Sequence, residues 1–349
     1  MSEALNRGLA NVLTSKRLNR LMEFGVLLFD VDDTLLARRT GAGTPDQNYA
    51  DSPTAQLLPQ LLRSGFQVCL VTGHGWDQLK DRLISPLVTA INSGEMSSAK
   101  AMLQRFAVYS NRGATRHGSA ENGFELDSEY SSRFAICSPD RARMLEMLDV
   151  VAGKANEDLT ENANEYRAAF PAFPFDQLPV KTFERENVIL GLRPLPSIFH
   201  SATDERTSPR SKFLELVRAE NALMGLGRKY HAEHAGKSTI EISSTGLSKS
   251  VAVRDALERR ARTSRQTVEE VASSSVFIGD EFDAKGNDHC IAVDFPDCLC
   301  YSVASLGGKQ TLPQNVTILR DLIELDGVTA TGLLVQFMLD RLENKLGNQ

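Results

Sequence analysis

Two aspartates two positions apart, Asp30 and Asp32, stand where a short apolar run from Gly25 to Phe29 gives way to polar residues. At the end of a buried strand, carboxylates at that spacing can point the same way. One can then serve as nucleophile and the other as general acid/base on a single phosphoryl group. An isolated acid pair more often caps a helix or sits in a turn, but here Thr34 and Leu35 complete the segment behind an apolar run. Elsewhere a similar apolar run, Phe66 to Val71, precedes Thr72-Gly73, and Val276 to Ile278 precedes Gly279-Asp280. Lys249 opens a helical pattern, where a cation neutralises both a carboxylate and a phosphate and the helix N-terminus adds its partial positive charge. Gly279 through Asp288 is rich in the oxygen donors that Mg²⁺ takes. Asp280 is the first choice of ligand there, with Asn287 and Asp288 as ligands or their supports, while Glu281 and Asp283 are expected to face solvent.

These residues need a scaffold that brings strand ends together. Continuous apolar runs suit buried parallel strands, and open α/β sheets place their sites at the carboxyl ends of such strands. Helical patterns at Ala55–Arg63, Trp76–Leu83, Leu247–Arg260, Asp321–Leu325 and Thr331–Leu346 alternate with the runs and predict a doubly wound α/β core. The middle of the chain reads as α+β. Strands are expected at Phe134–Cys137 and Asn187–Arg193, helices at Asp140–Val151 and Pro209–Met224, and a strand pair at Tyr230–Ala235 and Thr239–Ser243 joined by Gly236-Lys237. The stretch from Ala152 to Pro179 is expected to be irregular.

A chain of 349 residues with 42% apolar content exceeds one typical domain, and two are expected. Its formal charge of −6 gives no general attraction to nucleic acid or to an anionic membrane. Five scattered cysteines suit a reducing compartment. Met1 to Arg20 reads as a surface helix without the apolar core of a signal peptide, so a cytoplasmic protein is the expectation.

The segment Phe29-Asp30-Val31-Asp32-Asp33-Thr34-Leu35 resembles the first motif, Asp-x-Asp-x-Thr, of the haloacid dehalogenase (HAD) superfamily. The resemblance implies Asp30 as nucleophile, Asp32 as acid/base, and Mg²⁺ bound by the Asp30 carboxylate and the Asp32 backbone carbonyl. Many relatives carry glycine at the position of Asp33. Thr72-Gly73 resembles the second motif, whose hydroxyl and backbone N–H groups hold the transferring phosphoryl oxygens. Ser248-Lys249 resembles the third motif and Gly279-Asp280 through Asn287-Asp288 the fourth, which implies metal ligation by Asp280 and Asp288. His74 reads as a solvent-exposed loop residue.

The interval between Thr72 and Lys249 is long enough for an inserted domain. HAD proteins with an insertion there belong to the C2-cap branch, which acts largely on phosphorylated sugars and other small metabolites. The expected division is a core of residues 1–123 and 244–349 and an α+β cap of residues 124–243. Ser110-Asn111-Arg112-Gly113 resembles the Asn-Gly turn these relatives carry before the cap, which makes Asn111 and Gly73 candidates for substrate contact, with Arg193 or Arg185 in the cap for its distal part. The length of the fourth motif and the arginines of the cap strand resemble phosphomannomutases, whereas Val71-Thr72-Gly73-His74 is closer to phosphatases. The leading expectation is a Mg²⁺-dependent phosphatase of a small phosphate ester, with a sugar phosphomutase second and a non-catalytic HAD-like regulator as the alternative of another class. Oligomeric state is not read from the sequence. Gly236-Lys237-Ser238 and Gly41-Ala42-Gly43 match nucleotide-binding motifs only in fragments, Asn315-Val316-Thr317 is formally a glycosylation acceptor but irrelevant without secretion, and Arg259-Arg260-Ala261-Arg262 reads as a solvated helix end.

Overall fold

A computed structural model describes residues 9–10, 13–38, 47–120, 123–169, 179–195, 208–235, 239–284, 286–304 and 312–346. Gly41-Ala42-Gly43 and Gly236-Lys237-Ser238 lie outside them, as do residues 1–8 of the N-terminal segment. The chain forms two compact units, Met1–Ser131 with Ser248–Gln349, and Ser132–Leu247.

The first unit is built on an eight-stranded sheet of order β12-β11-β10-β1-β2-β3-β4-β5. Its parallel part comprises β1 (Leu27–Phe29), β2 (Val68–Val71), β3 (Phe106–Ser110), β10 (Val276–Gly279), β11 (Leu299–Ser302) and β12 (Val316–Ile318). β1, β2, β3 and β10 are buried along their whole length, as strands covered on both faces must be. Two antiparallel strands, β4 (Thr115–Ala120) and β5 (Gly123–Leu126), extend the edge. Phe124 therefore lies in the large sheet, although the sequence placed the second domain's start there. β4 mixes polar residues and glycine, so it carries little of the strand pattern.

The N-terminal helix, Ser15–Glu23, is capped by the Thr14 hydroxyl. It corrects the surface reading, because Leu18 and Leu21, with Leu9 and Leu13, join the same buried cluster as Leu27, Phe29, Ile278 and Met338. The supposedly solvated Arg260 hydrogen-bonds the carbonyls of Met22, Glu23 and Phe24 at that helix's end. Arg259 pairs with Asp255 and Asp127.

The second unit holds a four-stranded antiparallel sheet of order β6-β7-β9-β8: β6 (Lys181–Arg185), β7 (Ile189–Arg193), β8 (Tyr230–Ala235) and β9 (Thr239–Ser244). Its core joins Leu190, Leu192, Ile240 and Ile242 to the helices Ser138–Glu161 and Pro209–Leu223. Phe134–Cys137 is not a strand; it leads into the first of these helices, whose N-cap is Cys137. That helix continues to Glu161 because Ala155 and Leu159 extend its buried stripe beyond Val151. Together with a further helix, Ala163–Ala169, it replaces the irregular structure expected from Ala152 as far as Ala169, and residues 170–178 lie outside the described residues. Small alanines and Gly153 hid the continuation, since periodicity is read from large apolar residues.

Candidate active site

Asp30, Thr72 and Asp280 directly follow β1, β2 and β10, three neighbouring strands whose carboxyl ends meet. The Asp30 N–H donates to the Ile278 carbonyl at 2.9 Å, which continues the ladder one residue beyond β1. The chain then turns tightly, with Leu35 and Leu36 N–H both donating to the Val31 carbonyl at 2.8 and 2.9 Å. Asp33 takes φ 54° in this turn, a left-handed conformation that favours glycine and tolerates aspartate. The Asp33 side chain adds a bond of its own, accepting from Arg38 N–H at 2.8 Å.

Lys249 begins the helix Lys249–Ser264 and is buried. Its ammonium donates to Asp30 Oδ1 at 2.8 Å and to Asp288 Oδ1 at 2.7 Å. Burial alone would lower the lysine's pKa, but Asp288 and Asp30 outweigh it and the ammonium stays charged. Burial raises the pKa values of Asp30 and Asp288 and the neighbouring carboxylates add to this, while Lys249 opposes it.

Asp288 is held in place by its loop. Its N–H donates to the Glu281 carbonyl at 3.0 Å, and Glu281 N–H donates to Asp288 Oδ2 at 3.1 Å. Asn287 points outward and is exposed, so the two adjacent candidates part company. Gly279 is required at the strand end, because a Cβ there would lie 2.3 Å from Asp288 Oδ2. Glu281, expected in solvent, is half-exposed and 3.8 Å from Arg38 Nη2.

Carboxylate oxygens of Asp30, Asp280 and Asp288 lie within 4.8 Å of one another. Asp280 Oδ1 is buried without a hydrogen-bond partner among the described residues. An orphaned oxygen among three acids and one ammonium fits a hard divalent cation with oxygen ligands. Burial first, then Asp30 and Asp288, push the Asp280 carboxyl up to about 9. The folded chain thus holds a proton that the unfolded chain, with a carboxyl pKa near ~4, does not. More protons bound when folded means that stability falls as pH rises. In chelator-treated protein, Asp280 should therefore contribute a decline in melting temperature between about pH 5 and about pH 9, and Asp280→Asn should flatten it. An unchanged slope would remove Asp280 as its source.

Asp32 faces a different environment. Arg82 Nη2 donates to its Oδ1 at 2.6 Å and His74 Nε2 meets its Oδ2. Burial would raise its pKa, but the His74 hydrogen bond and charge, then Arg82, hold it well below the usual carboxylate range. Burial would likewise lower the His74 pKa, and the bond to Asp32 raises it instead. His74 is therefore no free loop residue, and its Nδ1 lies 3.0 Å from Gln78 Oε1. Sequence reasoning also passed over Arg38 and Arg82. Burial would lower the Arg38 pKa, but Asp32, Asp280, Asp33 and Glu281 together raise it. Arg38 was reachable from its closeness in sequence to the acid pair, whereas nothing local marks Arg82.

Thr72 is buried, and its hydroxyl accepts from His74 N–H at 3.2 Å. The turn after β3 clamps this loop, with Asn111 N–H donating to the His74 carbonyl at 2.7 Å and Arg112 N–H to the Thr72 carbonyl at 2.8 Å. Asn111 itself is buried with φ 51°, and its amide donates to Thr115 Oγ1 at 3.2 Å. Its visible work is to hold the loop of Thr72 and Gly73. In the second unit, Arg193 lies over the Phe183 ring at 5.0 Å and Arg185 pairs with Glu241.

No family model matches the sequence, and no curated protein matches it. Solved structures do share its architecture. The C-terminal domain of Candida albicans (C. albicans) trehalose-6-phosphate phosphatase is 12% identical, with a TM-score of 0.52, over 93% of this chain and 96% of that one. An N-terminally truncated Plasmodium falciparum IMP-nucleotidase is 13% identical, with a TM-score of 0.51, over 92% of this chain and 72% of that one. The Aspergillus fumigatus trehalose-6-phosphate phosphatase is 12% identical, with a TM-score of 0.50, over 96% and 97%. The fold is HAD-like. At these identities the likeness is one of fold, a HAD-like parallel core with an additional antiparallel-sheet domain. Among the described residues no helix is long and apolar enough to cross a membrane.

Proposed function

We propose that this protein is a Mg²⁺-dependent phosphomonoester hydrolase that works through an aspartyl-phosphate on Asp30. The observation that carries the reading is the buried Lys249 ammonium shared between Asp30 and Asp288, beside an Asp280 oxygen that has no partner among the described residues. Asp30, Asp280 and Asp288, with the Asp32 carbonyl, would hold the ion, which when bound supplies positive charge to the phosphoryl oxygens. Asp30 attacks phosphorus and the P–O bond to the leaving alcohol breaks. Asp32 relays to the leaving oxygen the proton that His74 Nε2 donates to it, then takes one from the water that hydrolyses the acyl-phosphate and returns it to His74. Thr72 and the Gly73 N–H hold the transferring oxygens, with Asn111 keeping their loop in place.

In this reading the second unit, inserted between Asn111 and Lys249 in sequence, is a C2-type cap and the substrate is a small phosphorylated metabolite. Because two neighbours are a trehalose-6-phosphate phosphatase and an IMP-nucleotidase, the substrate panel starts with sugar phosphates and nucleoside monophosphates.

The test is phosphate release over that panel, with Mg²⁺ and with a chelator. Stoichiometric release that requires Mg²⁺ and no bisphosphate activator is the expected result. Asp32→Asn should lose about 100-fold or more on an alkyl ester but much less on an aryl phosphate, whose leaving group needs little protonation. Conversion of a hexose 1-phosphate to its 6-phosphate with little release would replace the hydrolase by a mutase. Full activity in chelator would overturn both.

A further inference from the structure

The Asp32 carboxylate is gripped at both oxygens, and the two grips differ. His74, against Oδ2, has a side chain 29% exposed and belongs to the loop after β2. Arg82, against Oδ1, is 15% exposed and rises from a π-helical turn, Lys80–Ile84, set between the helices Trp76–Leu79 and Ser85–Asn92. Leu79, Leu83, Ile84 and Leu87 anchor this region in the main core cluster. A π turn is rare, interrupts regular helical hydrogen bonding and is frequent at functional sites. Gln78 and Arg82 lie four residues apart, one against His74 and the other against Asp32.

We propose that Arg82 is a positioning residue. It fixes Asp32 by Oδ1 and leaves Oδ2, which meets the more exposed His74, as the oxygen that exchanges the proton with the ester. A guanidinium suits this task, being a rigid donor with no acceptor site and no proton to exchange at working pH. It therefore orients the carboxylate without competing for the proton being transferred. General acid/base catalysis needs that orientation, since a displacement of about 1 Å in a reacting group costs about 100-fold in rate. The inference rests on the hydrolase reading and on Asp32 as its acid/base. It adds a residue that no motif identifies.

The experiment compares wild type, Asp32→Asn, Arg82→Ala, Arg82→Lys and the double variant Asp32→Asn/Arg82→Ala on an alkyl phosphate and an aryl phosphate, with thermal unfolding of each. Arg82→Ala should lower kcat on the alkyl ester by about 100-fold and on the aryl ester by less than about tenfold, with KM little changed. Arg82→Lys should recover part of the alkyl activity, and the double variant should be little worse than Asp32→Asn alone, because both changes disable one function. Equal losses on the two esters in a folded variant would overturn the proposal, as would a change confined to KM, which would make Arg82 a substrate contact. If Arg82→Ala does not fold, Arg82→Lys alone decides by the same ratio of alkyl to aryl loss. A wild type inert on both esters would defeat the hydrolase reading and this inference together. An active wild type with a leaving-group-selective Asp32→Asn but an unselective Arg82 variant would defeat the inference alone.

Discussion

Asp30→Asn should abolish turnover, by at least about 10⁴-fold, in a protein that melts no lower than wild type. The amide keeps the shape of the carboxylate but cannot attack phosphorus. Its effect on stability has a definite sign. Burial and then Asp32 raise the Asp30 pKa, and Asp30 in turn raises those of Asp280 and Asp288. Removing one negative charge relieves that repulsion, while Lys249 keeps its 2.7 Å bond to Asp288. Phosphate release and thermal unfolding in chelator check the two halves separately. Residual turnover within tenfold of wild type would exclude Asp30 as nucleophile.

Lys249→Met has the second large effect and acts on stability as well as on rate. The substitution keeps a long, unbranched side chain and removes the ammonium that touches Asp30 and Asp288. Breaking a buried ion pair from one side leaves uncompensated charge, at a cost of about 3–5 kcal/mol. Urea unfolding in chelator should show this loss. Mg²⁺ should restore part of it, because a bound ion would supply positive charge to the same carboxylates. Adding Asp288→Asn should also restore stability, yet leave the enzyme inactive. Activity should fall by about 10³-fold in the single variant, since a preorganised cation at the reacting group is lost. A variant as stable as wild type in chelator would show that the ammonium contributes no net stabilisation at this site.

The strands carrying the chemistry were legible because parallel strands buried on both faces are continuous apolar runs. Their ends are marked by the polar residues that follow, as at Phe29-Asp30 and Val71-Thr72. The antiparallel edge was not legible, since β4 (Thr115–Ala120) is made of polar and small residues and its buried positions are Thr115 and His117 rather than apolar ones. Nor was the full length of Ser138–Glu161, where alanines line the buried stripe. Charged residues were misread as solvated, like Arg259, or passed over, like Arg82, where a partner lay far along the chain. Arg259 meets Asp127 across 132 positions, and Arg82 meets Asp32 across 50.

The sequence by itself determined which groups are present and that Asp30, Thr72 and Asp280 follow apolar strands, because covalent order and apolar patterning are local properties. Tertiary structure alone decided which oxygen meets which cation. Lys249 reaches Asp30 across 219 positions and Asp288 across 39, Asp280 retains an oxygen without a partner among the described residues, and His74 and Arg82 divide the two oxygens of Asp32. Hydrogen bonds and ion pairs act over about 3 Å, a distance set by how strands stack and loops close rather than by separation along the chain.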